Sequence, residues 1–385
     1  MTARDVSWRR ARAIAAGAGA LPPVRASLDH ALGLVLADGL SAPVALPPAD
    51  TAAMDGFAVR GPGPWRVVGA LRAGQARTAV IEPGEAVEIA TGAAVPPATE
   101  AVLRYEDAGC SARGEITGRP EPGRHIRRTG GDVPAGQSLV TAGTRLTALM
   151  LGLAASAGLD EVLIRPRPRI AVTITGAEVR ASGLPSAFVT RDALGPAMTG
   201  LAGALGGHVV RVRHAGDGEQ RLAGVLADDD VDVHVVTGGS SAGPADLLHK
   251  VLAGTGAEFL VDGVRCRPGH PQLLAAFPDG RRVVGLPGNP FAAVAGLITL
   301  LAPLLTALSG AASAPEATVR PPAGTPRRPG CTVLVPVRRD ERGGLRLLPP
   351  SSPASLRTVA HASHLLAVDD SDEAVLIALP TGLVS

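Results

Sequence analysis

Residues 235–250, VVTGGSSAGPADLLHK, constrain this chain more than any other stretch. An apolar run through Val233, Val235 and Val236 stops at Thr237-Gly238-Gly239-Ser240-Ser241. After Pro244, apolar residues recur at Leu247, Leu248, Val251 and Leu252. That pattern is a strand, a small-residue turn and a helix start. Turn amides can converge on an anion there, the helix dipole adds partial positive charge, and glycines let an oxyanion approach the main chain. Alone, the motif reads equally well as a tight connection without a ligand. Two similar joints flank it. Residues 170–174, IAVTI, run into Thr175-Gly176-Ala177-Glu178, and residues 283–286, VVGL, run into Pro287-Gly288-Asn289-Pro290 before a helical stretch at 291–305. Ligands of open parallel sheets sit beyond the carboxyl ends of the strands. Three such loops in one α/β unit predict a pocket for a phosphorylated or otherwise anionic ligand.

A chain of 385 residues has room for two to four domains. Its hydrophobic share of 46% against 19% charged residues argues for a folded protein. Aromatic residues make up only 2%, so the cores are built from Val, Leu, Ala and Ile. That scarcity and a net charge of +2 argue against nucleic-acid binding. Cys110, Cys266 and Cys331 form no CxxC pair and suggest neither a disulfide framework nor a zinc site. The first 25 residues, broken by glycines and Pro22-Pro23, do not read as a signal peptide, and no run approaches a membrane span. A cytoplasmic protein is expected.

Along the chain, helices are expected at 5–19 and at 28–36, the latter capped by Ser27. Asp50 and Asp55 bracket a small-residue turn; they either cap it or face an electropositive ligand atom or metal. Residues 65–110 read as a small all-β unit, with Thr91-Gly92 as a turn after its middle strand. Residues 125–132, HIRRTGGD, read as a solvated loop, and 138–163 as a helix-rich return. From about 169 to 309 strands and helices alternate, which predicts a mostly parallel sheet covered on both faces. Alternating strands after residue 314 predict a second small β domain.

Taken together, several segments resemble the molybdopterin molybdotransferase family of the MoeA and gephyrin E-domain type. DTAAMDGFAVR resembles D-N-S-A-M-D-G-Y-A, and IATGAAVPPATEAVLRYED resembles I-x-T-G-A-x-x-P-x-G-A-D-A-V. GRHIRRTGGDVPAG is similar to G-x-N-I-R-x-x-G-E-D, and IAVTITGAEV to a strand ending in S-T-G-D-E-L. VVTGGSSAGPADLLHKVL resembles S-G-G-V-S-x-G-D-x-D, while RPGHP and GLPGNP resemble K-P-G-K-P and G-L-P-G-N-P, in the same order. Each piece is weak alone; the ordered set, spanning roughly 5–370, is specific.

The resemblance implies a multidomain α/β plus β protein: a helical and linker domain at 1–46 and 133–165, an inserted β domain at 47–132, a doubly wound α/β molybdopterin-binding domain at 166–310, and a C-terminal β barrel at 311–385. It implies a homodimer with a cleft between subunits. It also implies an enzyme that inserts molybdate into adenylylated molybdopterin and releases AMP with Mg²⁺, and the molybdopterin adenylyltransferase and recipient molybdoenzymes as partners. Carried over residue by residue, the functional acids are Asp50, Asp132, Glu178, Asp217 and Asp246, with Thr91 as the hydroxyl. Glu178, Asp217 and Asp246 would handle Mg²⁺ and pyrophosphate, while Asp50 and Thr91 would reach across from the other subunit. Thr175, Gly176, Gly238, Gly239, Ser240 and Ser241 would hold the phosphorylated tail, with Arg267, Pro268, Gly269, His270, Pro287, Gly288 and Asn289 beside them.

The chain departs from the pattern in places. Arg267 and His270 replace the two lysines of K-P-G-K-P, and Gly263 replaces a further lysine. Gly131, Pro244 and Ala177 stand where acids are expected, Asp192 keeps the Asp of a following D-S-N turn, and Leu194 replaces its Asn. Pro353, next to Ser351 and Ser352, replaces a serine. Arg267 keeps a permanent bidentate oxyanion partner. These changes leave open a catalytically impaired molybdopterin binder or scaffold; an adenylyltransferase and an unrelated sugar- or nucleotide-binding α/β protein are the further alternatives.

Overall fold

In the computed structural model, which describes residues 3–75, 79–238, 247–313, 315–350 and 352–380, three apolar strands lie side by side and parallel. They are Arg169–Ile174, Val233–Thr237 and Arg282–Leu286, with His208–His214 parallel on the far side of the first. Successive side chains of a strand point to opposite faces, so each strand feeds two cores. Val235 and Val284 pack with Met198, Leu297 and Trp8 on one face. Val236 and Val283 pack with Leu222, Leu226 and Leu248 on the other. Helices Leu194–Ala204, Trp8–Ala16 and Pro290–Ser309 therefore cover the first face, and Glu219–Leu226 and Leu247–Ala253 the second. The sheet is doubly wound, as the alternation of elements predicts.

An antiparallel hairpin, Glu258–Arg267 with Leu273–Ala276, extends the sheet beyond Arg282–Leu286. The end of Glu258–Arg267 then pairs with Thr332–Arg339, which continues into His364–Val368, Ala374–Ala378 and Ala317–Val319. The C-terminal strands are thus an extension of the main sheet. Among the described residues no ladder closes them into the expected barrel.

The chain divides into two compact units, the first holding residues 1–24, 34–37 and 164–385. The second, residues 25–33 and 38–163, centres on a four-stranded sheet of Arg66–Leu71, Glu85–Ile89, Gly56–Val59 and Ala101–Arg104. Ala58, Val87, Ile89 and Val102 fill one side of it, and Trp65, Val59, Ala86 and Leu103 the other. Thr147 caps helix Ala148–Ser156 through Met150 N–H at 3.3 Å.

Four expectations need correction. Residues 3–7 form a strand beside residues 261–265, and the first helix starts only at Trp8, where Ser7 Oγ caps it. Residues 28–36 are not a helix: one turn at Leu28–His30 stops before Gly33, whose φ of +73° a helix cannot use. Val35–Leu36 instead pairs with Ile164 and Arg165. In the segment 125–132, Ile126–Arg127 is a strand paired with Thr51–Ala52 rather than loop. Finally, Pro290–Ser309 is long and apolar enough to cross a membrane, but most of it is buried against the sheet.

Candidate active site

The register of the three central strands decides where their loops emerge. Ile174 lies beside Thr237, and Thr237 beside Leu286, so the three chains leave the sheet in one row. The first and second of these strands connect in opposite directions across the sheet, which makes the gap between them the topological switch point where ligands of such sheets bind. Thr175 ties the row together: its N–H and Oγ1 both donate to Thr237 O, at 3.1 and 2.9 Å. Gly238 N–H donates to Leu286 O at 2.9 Å.

The glycines here are required by space. Gly238 has φ +84°, and a Cβ on it would lie 2.6 Å from Thr175 Oγ1. Gly176 has φ +117°, and a Cβ there would lie 2.9 Å from both carboxylate oxygens of Glu178. Asp217 joins the same loop from the neighbouring strand connection, its Oδ2 accepting Ala177 N–H at 2.8 Å. Two carboxylates, Glu178 and Asp217, thus both lie at the Gly176 turn. Asp246, Gly239, Ser240 and Ser241 lie outside the described residues, as does Pro244.

Asp192 is buried and structural. Its Oδ1 accepts Leu194 and Gly195 N–H, both at 2.9 Å, at the start of helix Leu194–Ala204, and its Oδ2 meets His214 Nε2 at 2.9 Å.

A cavity of about 680 Å³ opens beside the row, a size suited to a small-molecule ligand. Arg267, His270 and Asn289 supply its polar lining, with Pro268, Gly269 and Pro287 next to them. Val333, Leu347 and a run of prolines from the C-terminal strands form the opposite wall. Gln272, buried beneath the Arg267–His270 turn, donates from Nε2 to Gly269 O at 2.6 Å and to Cys266 Sγ at 3.1 Å. Burial pushes the Cys266 thiol up to about 12, so it is an inert part of this floor. The N-terminal amides after Asn289 are already taken: Phe291 and Ala292 N–H donate to Pro353 O at 3.0 and 3.4 Å.

Thr91, Asp50 and Asp132 belong to the second unit. Asp50 accepts Thr129 N–H at 2.8 Å and Thr129 Oγ1–H at 3.0 Å, and pairs with Arg128 at 2.6 Å. The Thr129 amide, with Arg128 behind it, holds its carboxyl below the usual range. Asp55 accepts Thr91 N–H at 2.6 Å, and that bond lowers its carboxyl likewise. Both aspartates thus lock distant segments of the unit together rather than capping the local turn between them. Asp132 is exposed, its N–H donating to Leu46 O at 3.0 Å.

Residues 6–158 match the MoeA N-terminal region (domain I and II), and residues 171–307 match a probable molybdopterin binding domain. Molybdopterin molybdenumtransferase 2 of Mycobacterium tuberculosis is 33% identical over 324 residues, which cover 78% of either chain. The chain belongs to the molybdopterin molybdenumtransferase family. A second molybdopterin molybdenumtransferase, from Synechococcus elongatus, is 30% identical over 86% of either chain. The crystal structure of a molybdopterin biosynthesis MoeA protein from Pyrococcus horikoshii superposes with a TM-score of 0.81 at 26% identity, covering 98% of this chain and all of that one.

Against the molybdopterin molybdenumtransferase pattern, sequence reasoning missed three groups: the C-terminal cavity wall, Gln272 under the turn, and Asp5, whose Oδ1 lies 2.9 Å from His270 Nε2. None carried a sequence signal. Prolines read as linkers, a glutamine inside an apolar hairpin reads as nothing in particular, and Asp5 reads as the first residue of the helix expected at 5–19.

Proposed function

We propose that this chain acts in molybdenum cofactor biosynthesis by inserting molybdate into adenylylated molybdopterin, with release of AMP. One observation supports the reading above the rest: three small-residue loops leave the sheet in register at its switch point, next to a cavity that presents Arg267 and His270. Cleavage of the adenylyl phosphoanhydride by water gathers negative charge on the leaving phosphate oxygens, and catalysis consists largely of neutralising that charge in place. In this reading the tail's phosphate lies against the Gly176 and Gly238 turns, where no side chain keeps an oxyanion from the main chain, and the Gly288–Asn289 backbone lines it. Arg267 offers a fixed cation to an oxyanion in the cavity.

Mg²⁺ takes one or two carboxylates and keeps several waters, and Glu178 and Asp217 at the Gly176 turn fit that need. Bound there, the ion would polarise a phosphoryl oxygen. Asp246 completes the proposed set, and Ser240 and Ser241 the proposed cradle. Asp50, Thr91 and Asp132 enter the reaction by resemblance alone, through a homodimer that sedimentation of the purified chain tests. The four-domain division, the cytoplasmic location and hand-over from an adenylyltransferase to recipient molybdoenzymes belong to the same proposal.

Purified protein given adenylylated molybdopterin, molybdate and Mg²⁺ should release AMP in amounts that follow the molybdate supplied. Folded protein that binds molybdopterin and releases none would identify a binder rather than an enzyme; consumption of ATP without molybdate would identify an adenylyltransferase.

A further inference from the structure

His270 and Gly263 are neighbours across one hairpin. Gly263 N–H donates to Gln272 O at 2.9 Å, and Val264 N–H to His270 O at 3.0 Å. Strand Ala3–Ser7 runs beside them, with Arg4 opposite Asp262 and Val6 opposite Val264, so Asp5 falls opposite Gly263. Both residues leave regular strand geometry, Asp5 at φ +44° and Gly263 at φ +84°. Aspartate is among the few side chains that adopt this region readily. A Cβ on Gly263 would lie 2.7 Å from Asp5 Oδ1. The bare backbone at 263 therefore leaves the space that the Asp5 carboxylate fills, and from there it reaches His270 Nε2 at 2.9 Å. His270 in turn lines the cavity beside Arg267.

We propose that Asp5 is a positioning residue for this site. In the doubly protonated His270 ring Asp5 accepts Nε2–H, which fixes the ring and leaves Nδ1–H to donate to an oxygen of the anion bound in the cavity. A carboxylate that orients an imidazole in this way is the device by which ligating histidines are usually aimed. The inference rests on the cavity being the substrate site. The two side chains are 43% and 65% exposed, and an exposed pair contributes little to stability, so the effect of Asp5 falls on the ring's orientation rather than on folding. Arg267 supplies permanent charge; His270 supplies a directed N–H.

Tungstate, a tetrahedral oxyanion of molybdate's shape, tests this by calorimetric titration of the full chain, which needs no turnover. Asp5→Ala should weaken tungstate binding about 5–10-fold, the scale of one ordinary hydrogen bond, since Asp5 acts on the anion only through the ring. His270→Gln should weaken it as much, and the double variant no further than His270→Gln alone. Gly263→Ala, whose Cβ displaces the carboxylate, should copy Asp5→Ala, and Asp5→Asn, which keeps an acceptor oxygen, should recover most of the loss. Ring ¹⁵N shifts of His270 should report both nitrogens protonated in the tungstate-bound parent chain and less of that form in Asp5→Ala. Equal tungstate affinity in the parent and Asp5→Ala, additive losses in the double variant, or a parent chain that takes no tungstate would overturn the role. Absence of AMP release with these binding differences intact would instead sink the activity and leave the positioning role standing.

Discussion

Gly238 and Gly288, on loops from two neighbouring strands, meet so closely that a Cβ on Gly288 would lie 3.5 Å from the Gly238 Cα. The contact closes the loop row on the side of the cavity, since Pro287 and Asn289 on either side of Gly288 both line it. Gly238 is the tighter of the two, pressed against Thr175 Oγ1.

Gly238→Ala should therefore be costly twice over. The new Cβ meets Thr175 Oγ1, and φ +84° strains any L side chain, together about 1–3 kcal/mol of stability. Differential scanning calorimetry should show the loss, and molybdopterin affinity should fall with it. Gly224→Ala, a helix position where a Cβ meets nothing within 4 Å, is the control and should be neutral or stabilising.

Asp217 has two tasks, holding Ala177 N–H and presenting a carboxylate. Asp217→Asn keeps an acceptor oxygen and loses only the charge. AMP release should drop about 100-fold in Asp217→Asn, the scale set by removing one preorganised electrostatic group, while the melting temperature stays near the parent's. Raising Mg²⁺ should recover part of the rate. A rate indifferent to both changes would remove Asp217 from the site.

Acid stability of the second unit should depend on Asp50. Its carboxyl is held down chiefly by Thr129 N–H and also by Arg128, so folding gains from the ionised form. That gain is fully present above the unfolded carboxyl's ordinary value, near 3.8, and is lost as pH falls through the lower folded value. Urea midpoints measured between pH 6 and pH 2.5 should fall for the parent chain, and fall less steeply for Asp50→Asn.

Trp8 and Thr299 give a test of the core. Trp8 Nε1–H donates to Thr299 Oγ1 at 3.0 Å, both side chains fully buried, while that hydroxyl donates to Ala295 O at 2.7 Å. Thr299→Val leaves the indole N–H unpaired and should cost about 1–3 kcal/mol by chemical denaturation. Thr299→Ser should keep most of it.

The mostly parallel sheet and its small-residue loops were legible because a parallel sheet writes near-continuous apolar runs that end in Gly, Ser and Asn. Residues 282–290 carry their joint in nine letters, and the structure follows them. What escaped was set by partners distant in sequence. Nothing in residues 28–36 says that Val35–Leu36 will pair with Ile164 and Arg165, and the local period looks helical. Asp5 and Gly263 take meaning only from each other. The carbonyl of Pro353 on the amides of Phe291 and Ala292 joins segments about sixty residues apart, and it fills a helix terminus that sequence alone offers to an anion.

The decisive observation is where a bound pterin's charged tail lies. A crystal structure of the chain with molybdopterin should show the terminal phosphate at the switch point, against the Gly176 and Gly238 turns, and the dithiolene end turned toward Arg267 and His270. A phosphate held anywhere else, with that row empty, would contradict it.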